Sequence, residues 1–203
     1  MLLKDDIDDE VYQRFIEYAL AKSDAVMLVT IQDEPATFFY EDHIKKAKQI
    51  LPSFVPDRQT IQRLKREELT SRHDAEIFRK SCKPFLKMIE PWRMKQRHNP
   101  IWPSTEIISA PYDYDINLYR SEKEIEGYLM KPGGYLKWRY PYYPEDLSFF
   151  KDNYCWAYAN SHEEYVEIIP ENEEEYQKFL DMGIEFDNEY DAGKKEELFF
   201  EEY

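Results

Sequence analysis

The apolar positions change period several times along the chain, and each change marks an element. Val11, Phe15, Tyr18 and Ala19 recur at helical spacing. Asp8 or Asp9 can cap that helix, which runs to Lys22 before Ser23-Asp24 ends it. Ala25 to Ile31 is an unbroken apolar run rich in β-branched residues and predicts a buried strand. Asp33-Glu34-Pro35 reads as a turn and Thr37 to Tyr40 as a partner strand. A short helix follows from Asp42 to Leu51, with Ile44, Ala47 and Ile50 inward. Pro52 and Pro56 bound a loop. Asp57 caps a basic helix to Leu69, and Asp74 starts another that carries Ile77, Phe78, Cys82 and Phe85. Pro84 predicts a kink or break there. Met88, Ile89 and Trp92 extend the apolar face, and Arg93 to Pro100 reads as a basic connector.

In the second half the period shortens to two. Tyr112, Tyr114, Ile116 and Leu118 alternate with polar residues, as a half-buried strand does. Ser121 with Glu124 predicts a capping box for a short helix to Met130, with Ile125, Tyr128 and Leu129 inward. Gly133-Gly134 is a turn signal. Pro141 and Pro144 restrict themselves and the residues before them, so Tyr140 to Pro144 reads as a rigid, non-helical connection. Leu147 to Ala159 predicts a β-hairpin tipped by Lys151-Asp152-Asn153. Tyr165 to Ile169 alternates as another strand. Glu171 or Asn172 caps a helix through Met182, with Tyr176, Phe179 and Leu180 inward, and Gly183 stops it. Ile184 to Phe186 reads as a last short strand. Leu198-Phe199-Phe200 could dock as an anchor within the acidic end.

These elements predict an α+β fold. Its mainly antiparallel sheet lies in the C-terminal half, with covering helices and a basic helical segment from the N-terminal half. The expected organisation is a single domain, 1–203. Within it a helix-rich lobe at 1–99 carries one or two strands, 100–187 form the α+β core, and 188–203 are an acidic tail.

Four segments carry a resemblance. Trp102-Pro103-Ser104-Thr105-Glu106, Tyr135-Leu136-Lys137-Trp138, Pro144-Glu145-Asp146-Leu147-Ser148-Phe149 and Ser161-His162-Glu163 occur in that order. Together they resemble a family of uncharacterised bacterial proteins with W-P-G-T-E, L-Y-x-W, P-E-D-L-x-F and A-H-E elements. The resemblance covers about a third of the chain, from Pro100 to Glu163, and Ser104 and Ser161 replace Gly and Ala of that pattern. It implies that these segments form one folded unit. It implies no activity.

Composition narrows the function classes. The 203 residues suffice for one substantial core. The longest apolar run, Ala25 to Ile31, is far short of the roughly 20 residues of a membrane span. The opening Met-Leu-Leu-Lys-Asp-Asp has no apolar signal core, so a cytoplasmic location is expected. Cys82 and Cys155 lack metal or disulfide spacing and read as small buried side chains. With five glycines there is no phosphate-cradling loop, and no cofactor is expected.

Charge is placed unevenly. Residues 1–103 hold 18 basic and 17 acidic residues, while residues 104–203 hold 9 and 25. Arg58 to Arg97 alone carries 12 basic residues against 5 acidic. That stretch could meet phosphates, yet it has no recognisable nucleic-acid motif, and the net charge of −15 opposes nucleic acid and anionic membrane. A protein partner with a basic surface, or self-association between basic helices and acidic edges, fits the asymmetry better.

Glu145, Asp146, His162 and Glu163 are the best candidate constellation. Carboxylates beside an imidazole could hold a divalent metal or exchange protons, which would suit a small metal-assisted hydrolase or nuclease. They could equally accept hydrogen bonds in a Pro-rich turn and tie a strand end to a loop, and no metal site is assigned. Tyr140, Tyr142, Tyr143, Trp138 and Trp156 are the candidate binding aromatics, since such residues dominate interface hot spots. The favoured expectation is a non-enzymatic interaction module of the immunity, antitoxin or inhibitor type. It would present an acidic aromatic surface to a basic partner.

Overall fold

A computed structural model of the chain describes residues 1–3, 5–7, 9–31, 39–99, 101–103, 105–106 and 114–188. In chain order its main elements are α1 (Asp9–Lys22), β1 (Ala25–Ile31), α2 (Tyr40–Ile50), α3 (Arg58–Lys80) and α4 (Cys82–Ile89). Then come β2 (Arg93–His98), β3 (Ile101–Trp102), β4 (Thr105–Glu106), β5 (Tyr114–Arg120) and α5 (Glu126–Leu129). The chain continues through β6 (Glu145–Lys151), β7 (Tyr154–Asn160), β8 (Tyr165–Ile168) and α6 (Glu173–Asp181).

The fold is α+β. Six strands form one antiparallel sheet in the order β2-β5-β1-β6-β7-β8, and β3 pairs with β4 separately. The apolar run of β1 lies between β5 and β6, where both faces are covered. A strand buried on both sides must be apolar at every position, which is why this one shows no alternation. The two halves of the chain therefore contribute neighbouring strands to one sheet.

Alternation along the strands divides the core. Val26 and Leu28 of β1 face a cluster with Tyr12, Phe15 and Ile16 of α1, Phe85 and Ile89 of α4, Leu129, and Phe179 of α6. Met27 and Val29 face a second cluster with Trp102, Ile116, Leu118, Phe150 and Tyr158. Phe15 is the hub of the first, with its ring 5.3 Å from Tyr135, 5.9 Å from Phe149 and 6.0 Å from Trp156. Each such buried ring contributes roughly 1.5–3 kcal/mol by area alone.

The first residues of the chain extend the β8 edge. The Met1 ammonium donates to the Ile168 carbonyl at 2.8 Å, and Leu2 bridges Glu167. The hairpin of β6 and β7 turns on Asp152 and Asn153, both with positive φ, as a tight turn with strand twist requires. Asn172 caps α6 by accepting the Glu175 N–H at 2.9 Å, and Gly183 follows the helix at φ +93°. Ile184 to Phe186 forms only a single bridge, Leu3 to Phe186.

The first half departs from its expected elements in several places. α3 is continuous where two helices are expected. Residues 70–74 contain neither Pro nor Gly, and the Arg72–Glu68 pair at 2.5 Å ties the helix across them. The break falls at Ser81, which places Pro84 in the first turn of α4, where no helical N–H is needed. Arg93 to His98 is an edge strand rather than a connector, and its charged side chains suit an edge exposed to solvent. Tyr40 opens α2 instead of ending a strand; residues 37 and 38 lie outside the described residues. Ile44 and Ala47 of α2 are only half-buried, and Ile50 points to solvent. Ser121 makes no capping box, because its hydroxyl donates to the Leu20 carbonyl at 3.0 Å.

α1 and α6 are joined by one ion pair. Lys22 and Glu175 are nearly buried, at 8% and 7% side-chain exposure, and hydrogen-bond each other. Tyr18 also donates to Glu175 at 2.5 Å, and the Lys22 ammonium lies 4.4 Å from the Trp156 ring centre. Burial pushes the Glu175 carboxyl up, but Lys22, Tyr18 and the Glu171 N–H more than offset this and hold it below its ordinary value. Lys22→Met should leave that carboxylate uncompensated and cost about 3 kcal/mol in urea unfolding, whereas adding Glu175→Met should recover most of the loss. A single variant as stable as wild type would show that the pair contributes nothing.

Candidate functional site

The candidate cluster begins at a β-bulge. Glu145 of β6 stands opposite Val29 and Ser148 opposite Met27. Asp146 and Leu147 therefore both face Leu28, an extra residue that re-aims a side chain. Asp146 takes φ +54°, a left-handed conformation that Asp tolerates better than most residues. Its carboxylate is buried, at 1% exposure.

Both Asp146 oxygens are occupied. The Trp102 indole N–H donates to one at 2.7 Å, and the Ser161 backbone N–H donates to the other at 2.8 Å. Ser161 in turn donates its hydroxyl to the Trp138 carbonyl at 2.6 Å. The Trp138 indole donates to the Tyr12 hydroxyl at 2.7 Å, which donates to the Leu129 carbonyl at 2.7 Å. One buried hydrogen-bond chain thus links β3, the β6 bulge, the turn after β7, the Pro-rich loop, α1 and α5. Burial pushes the Asp146 carboxyl above its ordinary value; the Ser161 and Trp102 N–H groups resist that rise and neighbouring Glu145 adds to it.

Glu145 and His162 also meet. His162 Nε2 lies 3.1 Å from Glu145 Oε1, with the carboxylate buried and the imidazole about half exposed. The hydrogen bond to Glu145 raises the His162 pKa above 6.5 despite its partial burial, and Asp146 adds to the rise. Glu163 stands apart. Its side chain is exposed, and its backbone N–H donates to Asn160 at 3.0 Å. Three of the four expected residues therefore form two separate arrangements, one carboxylate sealed by N–H donors and one carboxylate–imidazole pair at the surface, and Glu163 joins neither. Among the described residues no three His, Cys, Asp or Glu side chains converge on a position that could hold a metal ion.

Of the candidate binding aromatics, two belong to the core. Trp138 is fully buried and Trp156 stacks on Phe179 at 6.3 Å, so neither can meet a partner. They are the large rings that fill the sheet–helix interface. Tyr140 and Tyr143 are half-buried against Phe78 and Phe85. Only Tyr142 projects, at 54% exposure. Cys82 and Cys155 are both buried, and burial pushes the Cys82 thiol up to about 12, with Glu145 adding to the rise. A thiol held protonated in this way is a poor nucleophile.

Sequence reasoning passed over Trp102 and Ser161 as participants. Each lies within a segment singled out above, but nothing in spacing reports that an indole and a backbone N–H share one carboxylate. Asn160 and Thr105 were likewise missed; the Asn160 amide donates to the Thr105 hydroxyl at 3.1 Å and fastens β4 beside the site.

Asp146→Ala would orphan two buried donors and place Ala at positive φ, at a cost of about 3 kcal/mol or more in denaturant unfolding. Asp146→Asn keeps one acceptor and the tolerant backbone, so it should cost about half as much. Equal stability of all three proteins would contradict this account. For His162 the raised pKa means that its pairing stabilises fully below 6.5 and fades as pH rises through the folded value. The stability difference between wild type and His162→Gln should accordingly be largest below pH 6.5 and shrink as pH rises from there through the raised folded value. A difference that does not change with pH would show that folding leaves the His162 pKa where it is in the unfolded chain. No known protein family, curated protein or solved structure matches the chain.

Proposed function

We propose that the chain is a non-enzymatic protein-interaction module, of the immunity, antitoxin or inhibitor kind, whose acidic face meets a basic protein surface. The observation that carries this reading is the run from Ser161 to Asn188, which holds ten acidic residues and one basic. Eight of the ten are exposed: Glu163, Glu164, Glu171, Glu173, Glu174, Asp181, Glu185 and Asp187. Several of these line a shallow depression with Tyr18, Asn172 and Gln177 on and around α6. Glu164 pairs with Arg139 at 3.4 Å and Glu171 lies 3.9 Å from Lys151, but acidic residues outnumber basic ones ten to one along the run, so a face of this kind gains from a cationic partner that neutralises it. The use of Asp146 as a buried acceptor supports the same reading, because it gives the least accessible carboxylate of the candidate cluster a structural task.

The test is capture from the native host at low salt. Wild type should retain a basic protein that elutes as salt rises, and Glu173→Gln/Glu174→Gln/Asp181→Asn should retain far less of it. Recovery of no partner at low salt, or equal recovery by the neutralised variant, would count against the reading.

A further inference from the structure

α2 and α3 form a helical hairpin whose tip is built as a contact surface. The backbone N–H of Tyr40 donates to Glu68 at 3.2 Å, and Lys65 and Arg72 lie over the Tyr40 and Phe39 rings. These contacts fix the start of α2 against the middle of α3. The connection between the helices then projects beyond them. None of the α2 residues is buried. Ile50 and Val55 are 86% and 84% exposed and Leu51 is 54% exposed, three aliphatic side chains within six residues. Lys45, Lys46, Lys48 and Arg58 are exposed around them. Residues 43–66 hold seven basic residues and one acidic. An aliphatic centre with a rim of one charge sign is the anatomy of a protein interface.

The chain carries the complement. Residues 196–203 read Glu-Glu-Leu-Phe-Phe-Glu-Glu-Tyr, four carboxylates around an apolar aromatic centre with no basic residue. They lie outside the described residues. We propose that the α2–α3 tip of one copy binds residues 196–203 of a second copy, giving a salt-sensitive dimer. Apolar matches apolar and each rim meets its opposite charge. Two copies exchanging these segments make two equal contacts about one two-fold axis, so the arrangement closes on itself. Anionic lipid or nucleic acid suits the tip alone, but a chain of net charge −15 is repelled by both. This inference does not rest on the acidic face of α6, and a chain that stays monomeric could still bind a basic partner there.

The experiment is sedimentation velocity on the full chain at about 50 and 500 mM salt, conditions that differ several-fold in screening length. Wild type should dimerise at low salt and dissociate at high salt. Ile50→Ser/Val55→Ser, Lys45→Glu/Lys46→Glu/Lys48→Glu and Phe199→Ser/Phe200→Ser should each weaken the dimer by at least about tenfold. The tip residues are solvent-exposed, so the two sets of tip substitutions should keep the wild-type melting temperature. A mixture of a tip variant with the Phe199→Ser/Phe200→Ser variant should form a heterodimer, because one intact contact remains. A wild type that is monomeric at low salt overturns the proposal. So does dimerisation unaffected by either set of variants, or tip-dependent co-sedimentation of a monomer with phosphatidylserine vesicles.

Discussion

The structure depends on one buried carboxylate. Asp146 can receive the Trp102 indole and the Ser161 amide only because an extra residue in β6 turns its side chain out of the regular strand pattern. A carboxylate inside a core is costly unless its oxygens are bonded, and here two N–H donors bond them. The arrangement works in both directions. The donors stabilise the charge, and the charge holds in register segments that are far apart in sequence. Trp102, Trp138, Asp146 and Ser161 each come from a different one of the four segments singled out in the sequence. They meet through this acceptor and through the Ser161 hydroxyl bonded to the Trp138 carbonyl.

That role separates Asp146 from its neighbour. Glu145 is also buried, but it reaches the surface through His162, whose pKa its hydrogen bond raises. Two adjacent acidic residues therefore serve different ends because a bulge sends their side chains apart. Proton chemistry at this place would have to run through His162, since the Asp146 oxygens already accept from Trp102 and Ser161.

Much of the second half was legible in the sequence. The strand of β5, the Asp-Asn turn between β6 and β7, and the Asn172 cap and Gly183 stop of α6 are local signals, although β5, expected to be half-buried, lies between β2 and β1 with Asp115, Asn117 and Tyr119 buried as well. The first half was less legible where tertiary context decides. A polar stretch such as Arg93 to His98 becomes a strand only because β5 offers an open edge. α3 runs on through a stretch with no apolar rhythm, where neither Pro nor Gly interrupts it and an i,i+4 ion pair spans it. At the candidate site the acidic residues and the histidine were visible, but their division into two arrangements was not. The bulge that divides them follows from pairing with β1, more than a hundred residues earlier. The aromatic density misled in a simple way: Trp138 and Trp156 fill the core rather than a surface.

Hydrogen exchange followed by NMR tests the central claim most directly. If Asp146 holds the fold together, the Trp102 indole N–H and the Ser161 amide should exchange only through global unfolding, as slowly as the amides of β1. Exchange of those two protons orders of magnitude faster than β1, in a protein that otherwise remains folded, would show that the carboxylate is a local ornament and that the segments are joined by something else.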